Sequence, residues 1–164
     1  MMGNGATMQD RPDTARRPMA LGAVLGTAGQ TMLFTLVGAA GMIVSAFLTW
    51  IRPDNVLGTE VGYRAFYRAS FSTNAPFLRS AGAVAIAIGI VAVIGLAFRS
   101  GWLIRLAGAM GIVAFALFTI TLHRAGLDVP TALGAGPWFV LGGGIVTMFG
   151  GFFATRPRVV VANP

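Results

Sequence analysis

The chain has no cysteine and no lysine, a single histidine, and five carboxylates spread over three separate segments. Without cysteine, neither a disulfide framework nor a thiolate metal site can form. His123 stands alone, and Asp10, Asp13, Asp54, Glu60 and Asp128 are too scattered for a metal cage built from protein side chains. The same poverty removes an acid, base and nucleophile set, a His and Glu zinc pair on one helix, and a phosphate-cradling glycine loop with its lysine. A chain of this composition is expected to be no enzyme and to hold no cofactor and no metal.

Charge is scarce as well. Charged residues make up 10% of the chain against 55% hydrophobic, with a mean hydropathy of +0.76, where a soluble domain carries about 25% charged residues. Four apolar stretches, Met32–Ile51, Ala81–Phe98, Trp102–Leu122 and Pro137–Ala154, each reach the roughly 17–25 residues that cross hydrocarbon as a helix. The only ionisable side chain in them is Arg105. Transporters and proton pumps place carboxylates or histidines near the bilayer midplane; here the midplane polar groups are the hydroxyls of Thr35, Ser45, Thr119 and Thr147, expected to bond to their own backbone. The pattern predicts an all-α protein, a four-helix transmembrane bundle forming one domain over 19–155, with a flexible tail at 1–18 and another at 156–164. Residues 19–28, MALGAVLGTA, read as an interfacial or extended first turn that leads into the first span rather than as a cleaved signal.

What is present in excess is arginine, which alone accounts for the net charge of +7. With no soluble domain to carry a basic face, this charge is expected to meet lipid headgroups and set orientation, not to bind nucleic acid. An inside set of Arg11, Arg16, Arg17, Arg99, Arg105, Arg156 and Arg158 faces an outside set of Arg52, Arg64, Arg68, Arg79 and Arg124. That balance favours cytoplasmic amino and carboxyl termini in a bacterial inner membrane. Trp50, Trp102 and Trp138 fall at the expected span ends, where an indole sits with one edge in lipid and one in water.

Small residues recur at helical spacing. Gly38 and Gly41 lie on the first span, Ala81, Ala85 and Gly89 on the second, Ala107 and Gly111 on the third, and Gly143, Thr147 and Gly151 on the fourth. In lipid, such stripes let backbones approach closely enough for packing to hold helices together. The fourth, GGGIVTMFGG, has enough of them to suggest a face for a partner subunit as well.

The connection over 52–80 has the most functional texture. Tyr63, Phe66, Tyr67 and Phe71 fall on one face of an α-helix, with Arg64 and Arg68 off it, which predicts a short interfacial helix in the first outer loop. It could cap the bundle, grip the phosphates of a lipid or glycolipid through Arg64 and Arg68, or dock another subunit through Tyr63, Phe66 and Tyr67. His123, with Arg124 and Asp128 near it, reads as an interfacial residue and not a proton carrier.

The segments SAFLTWIRP at the end of the first span and GAGPWFVLGGGIVTMFGG at the start of the fourth resemble the small four-span membrane proteins common in actinobacterial genomes. In these a Trp ends the first span, a polar outer loop follows, and a Gly and Trp motif opens a glycine-rich last span. The resemblance implies a fold and a location and transfers no functional residues. The expectation is therefore a non-catalytic accessory or scaffold subunit of a larger envelope complex, working against the lipid bilayer, other membrane subunits or further copies of itself. A lipid-handling protein and a small homo-oligomeric pore are the alternatives.

Overall fold

The computed structural model describes residues 19–52, 54–68 and 74–154. Phe71 and both tails lie outside the described residues. In chain order the elements are α1 (Met19–Ser45), strands β1 (Thr49–Ile51) and β2 (Val56–Leu57), two 3-10 turns (Tyr63–Phe66 and Phe77–Arg79), α2 (Ala81–Ala97), α3 (Gly101–Arg124), a single helical turn α4 (Val129–Ala132), and α5 (Ala135–Phe153). The described residues are thus all-α apart from one two-stranded antiparallel hairpin. Among the described residues two helices, Gly101–Arg124 and Ala135–Phe153, are long and apolar enough to cross a membrane; Gly29–Ser45 and Ala81–Ala97 are apolar but shorter.

The helix boundaries agree with the apolar stretches for α2, α3 and α5 and depart from them for α1. Its helix starts at Met19, within the run expected to be interfacial or extended, and stops at Ser45, short of Ile51. No proline interrupts 19–45, and Ala20, Leu21, Ala23 and Leu25 are strong helix formers that offset part of the cost of Gly22, Gly26 and Gly29. At the other end Ala46, Phe47 and Leu48 close three-residue turns onto Ile43, Val44 and Ser45, and β1 takes over. Trp50 then folds back to donate its indole N–H to the Ser45 carbonyl at 2.8 Å, satisfying a carbonyl of the last helical turn. Trp50 is consequently 1% exposed and is no interfacial residue, whereas Trp102 and Trp138 are 69% and 56% exposed at the starts of their helices.

The α2–α3 connection is short because one serine serves both helices. Arg99 at φ 50° and Ser100 send their N–H groups back to Leu96 and Gly95, a Schellman closure of α2, and the Ser100 hydroxyl accepts from Leu103 N to cap α3. Gly126, at φ 74°, closes α3 in the same way.

Each long helix runs antiparallel to the neighbours it packs on. A Cβ on Gly38 would meet Thr147 and one on Gly150 would meet Thr35, while Gly108 faces Gly144 and Met148, Gly89 faces Ala39 and Ile43, and Gly95 faces Leu103 and Ile104. As numbers rise on one helix they fall on its neighbour. The helices form a ring in the order α1, α2, α3, α5, with α1 and α3 barely touching across the diagonal. Ala39, Met42, Ile88, Ala92 and Ala107 fill the middle. Ser45 and Thr119 do bond to their own helix, through Met42 O and Phe115 O. The Thr35 and Thr147 hydroxyls do not: both are buried without a hydrogen-bond partner among the described residues, each pressed against a glycine of the facing helix.

Large apolar side chains, by contrast, point outward on every long helix. Leu33, Val37 and Val44 on α1, Ile90 and Ile94 on α2, Met110, Val113 and Ile120 on α3, and Phe139, Phe149 and Phe152 on α5 are all exposed.

Candidate functional site

At the end where α1 and α3 finish and α2 and α5 begin, the connections fold into a cap around Trp50. Its ring stands edge-on to Phe118 of α3 and to Phe66, with centroids 5.0 and 6.2 Å away, pairs worth about 0.5–1.5 kcal/mol each beyond burial. Gly58 and Gly136 lie against the Nε1–Cδ1 side of the indole, so close that a Cβ on either would collide with it. Strand β1 is stitched on its far edge to the α4 turn: Arg52 N–H donates to Ala132 O at 3.0 Å and Gly134 N–H to Trp50 O at 2.9 Å. Val56, Val61, Ala65, Leu122 and Leu133 complete this second core.

Among the described residues of the cap the expected interfacial α-helix does not form. A single 3-10 turn, Tyr63–Phe66, stands in its place and ends at Tyr67, which leaves helical geometry at φ −139°. Two forces set this outcome. Phe66 and Ala65 turn inward onto Trp50 and Phe118, and the start of the turn is strapped to the start of α2 by the Gly62–Ser80 bridge and by Ala81 N–H donating to Val61 O at 2.6 Å. The aromatic face splits accordingly: Phe66 joins the core, while Tyr63 and Tyr67 stay exposed with ring centroids 6.1 Å apart.

The same straps make a cleft of about 230 Å³ lined by Gly62, Tyr63, Arg64, Asn74, Pro76 and Arg79. Its far wall is held by Ala75 N–H donating to Glu60 O at 3.1 Å and by the Ser80 hydroxyl donating to Phe77 O at 2.7 Å. Arg64 therefore shares its cleft with Arg79, not with Arg68, which is exposed and follows the turn by donating its backbone N–H to Arg64 O. Neither guanidinium in the cleft has a carboxylate within ion-pair distance among the described residues; Glu60, the nearest in sequence, instead accepts from Leu57 N–H. The Tyr63 hydroxyl is held below the ordinary tyrosine value of 10.0, first by its hydrogen bond with Tyr67, then by the hydrogen bond and charge of Arg64, with Arg79 adding positive charge. Arg79 and Asn74 were not legible as site residues, because it is the Gly62–Ser80 bridge with the Ala75–Glu60 and Ala81–Val61 hydrogen bonds that brings them to Arg64.

Elsewhere among the described residues Arg105, at the start of α3, lies apart from His123, Arg124 and Asp128 at and beyond its end. Arg105 donates its Nε–H to Gly151 O at 3.0 Å and lies 4.5 Å over the Phe152 ring, so the one charge within an apolar stretch clasps α3 to α5. His123 and Arg124 are exposed on the last turn of α3, where positive charge suits the helix end, and Asp128 accepts from the Thr131 hydroxyl. Among the described residues no three metal-ligating side chains gather.

The small residues sit at the helix contacts. Gly38, Gly143 and Thr147 lie between α1 and α5, with Gly41 at looser contact there; Ala85 and Gly89 are buried on α2, Gly89 against α1; Ala107 is buried on α3, Gly111 faces Met42 and Gly144, and Gly151 faces Arg105. The glycines of α5 expected to serve a partner are mostly spent on α1 and α3. Gly142 alone among them has nothing within 4 Å, beside a shallow apolar groove lined by Val37, Gly41, Trp138, Phe139 and Val146. No protein family, curated protein or solved structure matches this chain.

Proposed function

We propose that all four long helices cross a bilayer as a four-helix transmembrane bundle, with both termini cytoplasmic in a bacterial inner membrane, and that the protein is a non-catalytic accessory or scaffold subunit of a larger envelope complex. The observation that carries this reading is the inverted distribution of side-chain size. Large apolar side chains face outward on α1 and α2 as they do on α3 and α5, while glycine, alanine and threonine occupy close contacts between helices. In water such an exterior would drive aggregation; in lipid it costs nothing, and close backbone approach supplies the cohesion. By length, α2 spans about 26 Å and α1 about 40 Å, which brackets a hydrocarbon thickness of about 30 Å.

Among the described residues the buried polar side chains are hydroxyls, with no carboxylate or histidine for transport chemistry, so the protein's contribution comes through its surfaces. Two measurements test the reading. Reporter fusions at each connection should alternate sides and return an even number of crossings. Extraction in several mild detergents should give a particle well above the 17.0 kDa of the chain, with other membrane proteins in it; a clean monomer in all of them overturns the scaffold assignment.

A further inference from the structure

We propose that the cleft between 62–64 and 74–79 binds a phosphate group, held by the guanidiniums of Arg64 and Arg79 with the Asn74 amide and the Tyr63 hydroxyl as neutral partners. Three features point to an anion of this class. The cleft has two arginines in its walls and no carboxylate among its lining residues, so its positive potential is not spent within the described protein. Guanidiniums present planar, paired N–H donors that match phosphate oxygens, and such charge-assisted bonds are roughly twice as strong as neutral ones. The volume of about 230 Å³ is smaller than the ~300–1,000 Å³ of pockets that enclose a drug-sized ligand, which suits one phosphate and not a whole nucleotide.

The cleft is also a built feature, because its two walls are fixed to one another by the Gly62–Ser80 bridge and the Ala75–Glu60 and Ala81–Val61 hydrogen bonds. Beside Arg79, Phe77 and Leu78 are 49% and 87% exposed. Two bare apolar side chains next to two arginines form the combination found where a protein surface meets a bilayer, with the apolar pair in acyl chains and the charges at headgroup level. A phosphate could reach this cleft from a phospholipid headgroup or free from solution. The lipid source rests on the membrane-spanning reading above, whereas binding of free phosphate does not.

The test uses the purified, delipidated full chain in a zwitterion-free, uncharged detergent, with short-chain phosphatidylglycerol in one arm and inorganic phosphate in the other. Binding is followed by native mass spectrometry for the lipid and by calorimetry for phosphate. Loss of one charge-assisted contact corresponds to about tenfold in affinity, so Arg64→Gln and Arg79→Gln should each weaken binding by about that factor and Arg68→Gln should leave it within about twofold. Asn74→Asp, which sets a carboxylate in the cleft without removing an arginine, should weaken it too and covers the case in which an arginine variant fails to fold. Loss confined to the lipid arm assigns the headgroup as the source; loss in both arms, or in the phosphate arm alone, assigns the phosphate itself. Unchanged binding in Arg64→Gln, Arg79→Gln and Asn74→Asp overturns the proposal, as does a loss in Arg68→Gln as large as in the other two. Since none of these readouts involves a partner protein, a monomeric particle would refute the scaffold role and leave this site standing.

Discussion

Gly38 and Gly41 lie one turn apart on α1, and alanine at the two positions should have opposite consequences. A Cβ on Gly38 would sit 2.6 Å from the Gly143 carbonyl oxygen and 2.7 Å from Thr147 N, and would also strike the Thr147 hydroxyl. These are backbone atoms of α5, so they cannot swing aside; relief to an ordinary contact of 3.4 Å requires α1 and α5 to part by about 0.7–0.8 Å. A gap of that size forfeits roughly a quarter to a half of the dispersion energy of the atoms facing across it. Overpacking of this kind costs about 1–3 kcal/mol, against which the helix preference of alanine returns at most about 1 kcal/mol. At Gly41 the nearest atoms would be 3.6 and 3.7 Å away, so the methyl group adds contact without displacement, and Gly41→Ala should be neutral or stabilising by up to about 1 kcal/mol. Unfolding in mixed micelles with rising SDS, followed by tryptophan emission as the buried Trp50 becomes exposed beside the already exposed Trp102 and Trp138, measures both. Equal stability of Gly38→Ala and the parent protein, or equal losses in the two variants, would refute the packing argument.

Two further predictions concern the helix ends and the cleft. Arg99 occupies a left-handed C′ position at φ 50°, and Gly126 occupies the equivalent position at φ 74°; Arg99→Gly should therefore stabilise the chain by about 1 kcal/mol and Gly126→Ala destabilise it by a similar amount, read from the same SDS titration. The depressed value of Tyr63 means that phenolate forms earlier in the folded protein than in the unfolded one; its contribution to stability is present in full above pH 10 and disappears as pH falls through the folded value. The chain has only two tyrosines, so absorbance at high pH should resolve an early component that is missing in Tyr63→Phe and moves up toward 10.0 in Arg64→Gln.

The lesson of the outer loop is that aromatic spacing alone does not decide helix type. Tyr63, Phe66 and Tyr67 have helical periodicity, yet the turn stops after Phe66 because that ring is worth more packed against Trp50 and Phe118 than on an interfacial stripe. Arg64 and Arg68 were equally plausible as a pair from spacing, and the strap to Ser80 replaced Arg68 with Arg79. The polar interior went the same way: four hydroxyls looked alike, but Thr35 and Thr147 lie opposite glycines, a relation between two helices that neither helix encodes.

By itself the sequence determined the helical class, the approximate places where α2, α3 and α5 begin and end, and the poverty of chemical groups, since these follow from local quantities: apolar run length and composition. The tertiary structure alone decided which small residues are tight contacts, that Trp50 is a core residue closing α1 at Ser45, and that Arg64 meets Arg79. Those outcomes depend on distances between segments remote in sequence, and such distances are set by packing and backbone hydrogen bonds that no local pattern contains.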